Sequence, residues 1–269
     1  MSAPPKLTQG LERRVLRHLE RPNRRYRRYA FNNMTRLFET IQPGDVLLVE
    51  GNSEISRWIK LFSNSQWSHV AYYVGDALIS PEHPVAKATR QRHAEGASRL
   101  LVEAFTGRGV ITTPLEAYRD YNIRICRPYG IQPEDQRRVT RRVVADIGKH
   151  YDTRNILDIA LMTLPLALNP FRRRSIKACL GGCSDYQVIC SGMIAKAFQS
   201  VDYPIVPAFD APPGSLPDFK RGPYGARLIM RHYSQILPRD FDLSPNFEVI
   251  KFNLPKDEPF DYQSLWADG

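Results

Sequence analysis

The middle of the chain shows two kinds of hydrophobic spacing: alternation, which predicts strands, and a repeat of three to four residues, which predicts helices. In residues 68–74 the apolar Val70, Tyr72 and Val74 alternate with His69, which is typical of a strand with two different faces. Further strands are predicted at residues 45–50, 100–105, 110–113 and 122–127, with another in the tail at 247–252. Because the segments at 100–105, 110–113 and 122–127 follow one another closely along the chain, we expect them to form an antiparallel meander.

Helical spacing marks three segments around these strands. Ser53 is a typical N-cap, and apolar residues at positions 55, 58, 59 and 62 predict a helix after it. Pro133 begins a second predicted helix, with Val139 and Val143 in its buried stripe, and Gly148 ends it. Between residues 190 and 198 the apolar positions follow the i, i+3, i+4, i+7 pattern. Cys190 is therefore predicted to lie in the first turn of a helix.

The two ends of the chain differ in composition from its middle. Residues 1–36 hold ten Lys and Arg against two acidic residues, and apolar positions at helical spacing predict a basic amphipathic helical arm over residues 1–40. Ten of the 21 prolines follow residue 200, but this tail has too many aromatic residues for disorder. We therefore expect residues 201–269 to wrap over a central domain of residues 41–200.

Three interpretations of such an arm are possible. Its Arg24, Arg25, Arg27 and Arg28 could bind an anionic membrane surface. The same charge could bind nucleic acid, which we weigh lower. A helical face that is merely solvated is the third interpretation, and the pattern alone fits all three.

Composition excludes several classes of protein. The 269 residues are 42% hydrophobic and 25% charged with a net charge of +10, which supports a real core and excludes fibrous and disordered chains. Four cysteines are too few for a disulfide framework and favour a reducing compartment. We see no secretory signal, and the longest apolar run, residues 159–168, is half of the ~20 residues that a membrane span needs. These patterns predict a cytoplasmic protein, free or peripheral on a membrane, with no transmembrane helix.

Cys190, His69 and Glu103 are the best candidates for chemistry. A helix start favours a thiolate, a histidine on a strand face can take the proton, and a carboxylate on a neighbouring strand can orient the histidine. From the pattern alone, Cys190 could equally be a small buried core residue and His69 a structural histidine. A zinc site at Cys179, Cys183 and Cys190 is disfavoured by its spacing, so we expect neither a metal nor a cofactor.

Several motifs resemble the permuted papain-like cysteine hydrolases, the YiiX/YebB-like branch of the NlpC-type superfamily, which also contains the lecithin retinol acyltransferase group. In that branch a strand histidine comes first, a polar residue follows on the next strand, and the cysteine comes last, at a helix start. The order here is His69, Glu103, Cys190. Gly192 departs from the acidic residue that many relatives carry. The motifs lie at residues 44–51, 67–75, 101–104, 148–152 and 189–194.

This resemblance implies an α+β, circularly permuted papain-like fold, an antiparallel sheet packed on helices with the nucleophile at a helix N-terminus. It implies Cys190 as nucleophile, His69 as general base and acid, and Glu103 as orienting group. Tyr151, Tyr186 and Ser191 are weaker candidates for substrate or oxyanion contacts.

The implied activity is hydrolysis of an amide or ester acyl bond through a thioester acyl-enzyme. The substrate would be a peptide amide, or a lipid ester cleaved or transferred at a membrane surface. The alternative is a non-catalytic basic protein that binds nucleic acid or anionic membrane through its arginine-rich arm.

Overall fold

The structure is a computed structural model that describes most of the predicted central domain and parts of both ends. The described residues are 21–22, 26–29, 31–76, 78, 99–105, 108–149, 190–206, 208–209 and 228–253. Residues 1–20 of the predicted arm, the apolar run at 159–168, and Cys179 and Cys183 lie outside them.

An antiparallel sheet of six strands forms the centre of the described part, in the order β4-β3-β2-β1-β5-β8. Two further short strands, β6 and β7, pair only with each other. The strands are β1 (Val46–Glu50), β2 (His69–Gly75), β3 (Leu100–Phe105), β4 (Gly109–Pro114), β5 (Asn122–Pro128), β6 (Ala208–Phe209), β7 (Leu228–Ile229) and β8 (Phe247–Ile250).

The described helices begin and end where local chemistry allows. The Ser53 side chain caps α2 by accepting from the Ser56 N–H, and Asn64 ends that helix with a left-handed φ of 46°. Pro133 occupies the first turn of α3, where it costs no hydrogen bond. Not one of the helices in this part of the chain has the length and apolar character to cross a bilayer. They are α1 (Met34–Thr40), α2 (Glu54–Ser63), α3 (Pro133–Val144), α4 (Cys190–Gln199) and α5 (Pro238–Leu243), with 3₁₀ helices at Leu115–Tyr118 and Tyr233–Gln235.

The sheet is buried on both faces because alternate side chains enter two separate cores. Tyr72 and its neighbours on one face pack against α3 and α4, and the Tyr72 ring meets the edge of Phe198. Ala71 and Tyr73 point to the opposite face, where Leu37 of α1 and the 3₁₀ residue Tyr118 complete the second core. The central strands are therefore held by apolar burial on either side.

The strand predictions and the helix predictions after Ser53, at Pro133 and at Cys190 are confirmed within a residue or a few. Of the predicted helical arm, only Met34–Thr40 is helical among the described residues. The expected meander is wrong at its last strand. Strands β2, β3 and β4 do follow one another as neighbours. Strand β5 instead pairs with β1, on the far side of β2. The connection carries Leu115 and Tyr118 into the second core, and this burial draws the chain across the sheet face. Local spacing does not reveal such a crossing.

Both ends of the described chain pack on this sheet. Within the predicted arm, Leu37 of α1 is fully buried, and residues 26–33 are bonded to the turn at 118–122. In the tail, Phe241 and Phe247 enter the first core, and β8 extends the sheet at β5. The domain boundaries at residues 40 and 200 stay predictions, although Leu37, Met34 and Phe38 belong to the second core of the sheet.

Candidate active site

His69 is the first residue of β2, at the edge of the buried part of the strand. Its side chain is 15% exposed, and its ring stacks on Phe105 of β3 with 5.0 Å between ring centroids. The strand register sets Ala71 opposite Glu103, so the histidine and the glutamate share one face as neighbours on adjacent strands. The predicted face of His69, opposite Val70 and Tyr72, is observed.

Glu103 is fully buried and faces the histidine directly. Its Oε2 atom lies 2.5 Å from His69 Nε2 and also accepts a hydrogen bond from the Tyr118 hydroxyl. The other oxygen, Oε1, is buried and has no hydrogen-bond partner among the described residues. One carboxylate oxygen therefore carries both contacts.

Cys190 is the first residue of α4, and its thiol lies within hydrogen-bonding reach of the His69 ring. Because Nε2 of that ring is bonded to Glu103, Nδ1 is the nitrogen left for the sulfur. Helix α4 packs on the face of the sheet opposite Glu103. The position of His69 at the end of its strand lets the same ring contact groups that belong to two faces.

These contacts set the charge of the imidazole. Burial by itself favours the neutral ring, but the neighbouring Cys190 sulfur and the Glu103 carboxylate outweigh it and raise the pKa of His69 to about 10. The charged imidazole is therefore a proton donor placed beside the Cys190 sulfur. The arrangement can supply a nucleophilic sulfur and an acid at neutral pH.

Ser191, Tyr151 and Tyr186 are the weaker candidates for substrate or oxyanion contacts. Ser191 is fully buried, and its hydroxyl donates to the Ile236 carbonyl, which ties α4 to the tail. Tyr151 and Tyr186 lie outside the described residues. Their substrate or oxyanion roles, and that of Ser191, stay predictions.

Sequence reasoning missed Tyr118 as a neighbour of Glu103, and it missed the stacking of Phe105 on the His69 ring. Residues 118–121 read as a turn between strands, and no local pattern shows that the turn packs under Glu103.

In the described ranges, no group of three or more His, Cys, Asp and Glu side chains is placed to bind a metal ion.

An α+β sheet with a strand histidine ahead of a helix-start cysteine defines the papain-like class in its permuted order. Comparison with known families agrees, because the model of the permuted papain-like amidase enzyme family, YaeF/YiiX, C92, matches residues 40–158. This match over residues 40–158 supports the permuted papain-like cysteine hydrolase family. The match contains His69 and Glu103, and Cys190 follows it.

Two other comparisons add context. No curated protein matches the chain. Among solved structures, the chain is similar to one described as the crystal structure of metalloprotein yiiX from Escherichia coli O157:H7. The two are 16% identical with a TM-score of 0.46, over 80% of this chain and 99% of that one.

Proposed function

We propose that the chain hydrolyses an acyl bond with Cys190 as nucleophile, His69 as general base and acid, and Glu103 as orienting group. The observation that carries this proposal is the double contact of His69, whose ring meets both Cys190 and Glu103. The three side chains come from α4, β2 and β3. This histidine links a thiol to a buried carboxylate, which is the arrangement of nucleophile, base and orienting group that covalent catalysis uses.

In the first half of the reaction, the Cys190 sulfur attacks the acyl carbonyl carbon. The new C–S bond pushes an electron pair onto the carbonyl oxygen, and the amide N–H of Cys190, in the first turn of α4, donates to that oxyanion. The charged His69 gives its proton to the leaving nitrogen or oxygen as the old bond breaks. A thioester on Cys190 and a neutral His69 remain.

In the second half, water replaces the leaving group. Neutral His69 takes a proton from the water as its oxygen attacks the thioester carbonyl, and the C–S bond then breaks. The sulfur leaves as a thiolate beside a charged imidazole, which restores the starting pair. The Glu103 carboxylate orients His69 throughout and stabilises the ring whenever it is charged, because Nε2 keeps its contact.

The substrate we propose is an amide-linked acyl group, as in a peptide. The description of the matching family as an amidase supports an amide bond. A lipid ester at a membrane surface is the second candidate, because the segment around residues 26–31 exposes aromatic and basic side chains. Both reactions would use the same triad and would differ in the shape of the pocket.

Mass spectrometry of the intact protein tests both candidates. We would incubate the protein separately with a muropeptide mixture and with a lipid extract, quench with acid, and map the adduct. An acyl adduct on Cys190 from the muropeptides supports the amide substrate, and one from the lipid extract alone supports the ester. An adduct of equal yield in Cys190→Ala would contradict the proposal.

We also predict that the N-terminal segment brings the protein to anionic membranes. Tyr29 and Phe31 are 76% and 84% exposed, Arg27 is exposed, and the Arg28 guanidinium stacks 4.5 Å from the Phe31 ring centroid. Aromatic rings next to arginines suit the interface of a negatively charged bilayer. The double substitution of Tyr29 and Phe31 by Ser should lower binding to vesicles containing phosphatidylserine by about tenfold, as sedimentation would measure.

Exposed Leu243 offers a matched control for this prediction. It is 69% exposed, and it lies on α5 in the tail, so Leu243→Ser removes a similar apolar surface from another element. Vesicle binding should survive this change, and raised salt should weaken the binding of all variants through screening. Binding of the unaltered protein to RNA or DNA, with no binding to vesicles, would favour the nucleic-acid interpretation instead.

A further inference from the structure

Tyr118 is the second group that holds the Glu103 carboxylate. Its ring is 5% exposed, and its hydroxyl donates to Oε2, the same oxygen that contacts His69 Nε2. We infer that Tyr118 is a positioning residue that fixes Glu103 toward His69, and that residues 26–33 of the N-terminal segment hold Tyr118 in place. This inference rests on the proposed function, since it concerns the orientation of the same histidine.

Among the described residues, the hydrogen-bond partners of the Glu103 carboxylate are His69 and the Tyr118 hydroxyl. Glu103 Oε1 has no hydrogen-bond partner among the described residues, so His69 and Tyr118 together determine how the carboxylate is turned. Without Tyr118 the carboxylate would keep one donor, and its negative charge would be less firmly placed against the imidazole.

The N-terminal segment holds the turn that carries Tyr118. The Asn32 Nδ2 atom lies 2.7, 3.0 and 3.2 Å from three carbonyl oxygens of that turn, those of Tyr121, Arg119 and Tyr118. Arg28 donates to the Arg119 carbonyl at 3.1 Å and pairs with Asp120 at 2.5 Å. A segment that charge alone assigned to a separate arm is thus bonded to the backbone beneath the candidate active site.

Tyr121 supports the same placement from the other side. Its ring meets the edge of Tyr118 at 5.5 Å between centroids, and Tyr26 of the N-terminal segment lies 6.2 Å from Tyr121. The hydroxyl of Tyr26 also accepts from the Asn122 N–H at 2.8 Å. Aromatic contacts and backbone hydrogen bonds together leave Tyr118 with one placement.

The test is Tyr118→Phe, which keeps the ring and removes only the hydroxyl. We expect kcat to fall about tenfold with KM nearly unchanged, since Tyr118 acts through Glu103. In an independent measurement, the rate of Cys190 alkylation by iodoacetamide is followed against pH. The basic limb of that profile should move down by about one unit, because the charge on His69 loses part of its support.

Two further variants make the test specific. Tyr121→Phe removes a hydroxyl from the neighbouring ring, which is not bonded to Glu103, and should leave kcat and the pH profile unchanged. Asn32→Ala loosens the turn without touching Glu103 and should shift the basic limb in the same direction by about half as much. If Tyr118→Phe does not fold, as circular dichroism would show, Asn32→Ala still decides the question.

The outcomes separate this inference from the proposed function. An unchanged or upward-shifted basic limb in Tyr118→Phe, in a protein whose activity depends on Cys190, would overturn the positioning role alone. Full activity in Cys190→Ala would overturn the proposed function itself. A downward shift in Tyr118→Phe and Asn32→Ala, with none in Tyr121→Phe, supports the inference.

Discussion

Replacement of Cys190 by alanine is expected to abolish turnover, with kcat lowered by about 10⁶-fold, because no other group in the site can form the thioester. His69→Ala should cost nearly as much, since the sulfur would lose both its charged neighbour and its proton acceptor. The double variant should be no worse than Cys190→Ala, because the two residues act as one unit. Steady-state kinetics on a small amide or ester substrate measures all three.

Cys126 provides the matched control. It is the other described free cysteine, it is fully buried in β5, and burial raises the pKa of its thiol to about 12. Cys126→Ala should therefore keep full activity and cost only ~1–2 kcal/mol of stability from lost packing. Iodoacetamide at neutral pH should label Cys190 much faster than Cys126, and His69→Ala should remove that difference. Equal labelling of the two thiols in the unaltered protein would contradict the role of Cys190.

Glu103→Gln is expected to lower kcat by ~10²–10³-fold, less than the loss of the nucleophile. The amide can still accept a hydrogen bond from His69, but it removes the negative charge that supports the imidazolium. The amide nitrogen would also need an acceptor in a place where Oε1 has no partner among the described residues. Kinetics combined with a melting curve separates an orienting role from a purely structural one.

The two roles of Glu103 give different results. Lowered turnover at an unchanged melting temperature supports the orienting role. Unchanged turnover with a lowered melting temperature would make Glu103 a structural residue and remove it from the site. The exposed Glu134, which pairs with Arg137 on α3, offers a control, because Glu134→Gln should change neither quantity measurably.

The charge of His69 also predicts how stability depends on pH. The pKa of His69 is raised from 6.5 to about 10 in the folded protein, so its charge stabilises the fold fully below about pH 6.5. This contribution is lost as the pH rises through about 10. In Glu103→Gln the pKa of His69 should fall, and the loss should then begin at a lower pH. Urea unfolding at pH 6, 8 and 10 measures both curves.

Periodicity predicted the strands well because each strand alternates between two buried or half-buried faces. The segment at 100–105 is one case, where the predicted and observed strands coincide as β3. The same alternation put Glu103 on the face of Leu101, and the strand register confirms that placement. Helix starts were equally local, because Ser53 and Pro133 act on the nearest backbone groups.

The pairing of β5 with β1 and the docking of residues 26–33 could not be predicted in this way. Both depend on partners that lie tens of residues away, such as Asn32 with the turn after Leu115. The arginine-rich composition suggested a separate arm, because composition shows how much charge a segment carries and not which residues it contacts. In the structure, Arg28 pairs with Asp120 of the domain. Long-range hydrogen bonds leave no periodic trace in a sequence.

The sequence by itself determined which side chains could do chemistry, because a thiol at a helix start, a histidine on a strand face and a carboxylate on the next strand follow from local spacing. Only the tertiary structure decided that His69 contacts both of the others, since Cys190 belongs to a helix on one sheet face and Glu103 to the opposite face. The tertiary structure also added Tyr118 to the site. The chain that crosses from β4 to β5 places its hydroxyl within hydrogen-bonding distance of Glu103. The physical reason is that local propensity acts over a few residues, whereas a site is assembled by burial and register across the whole sheet.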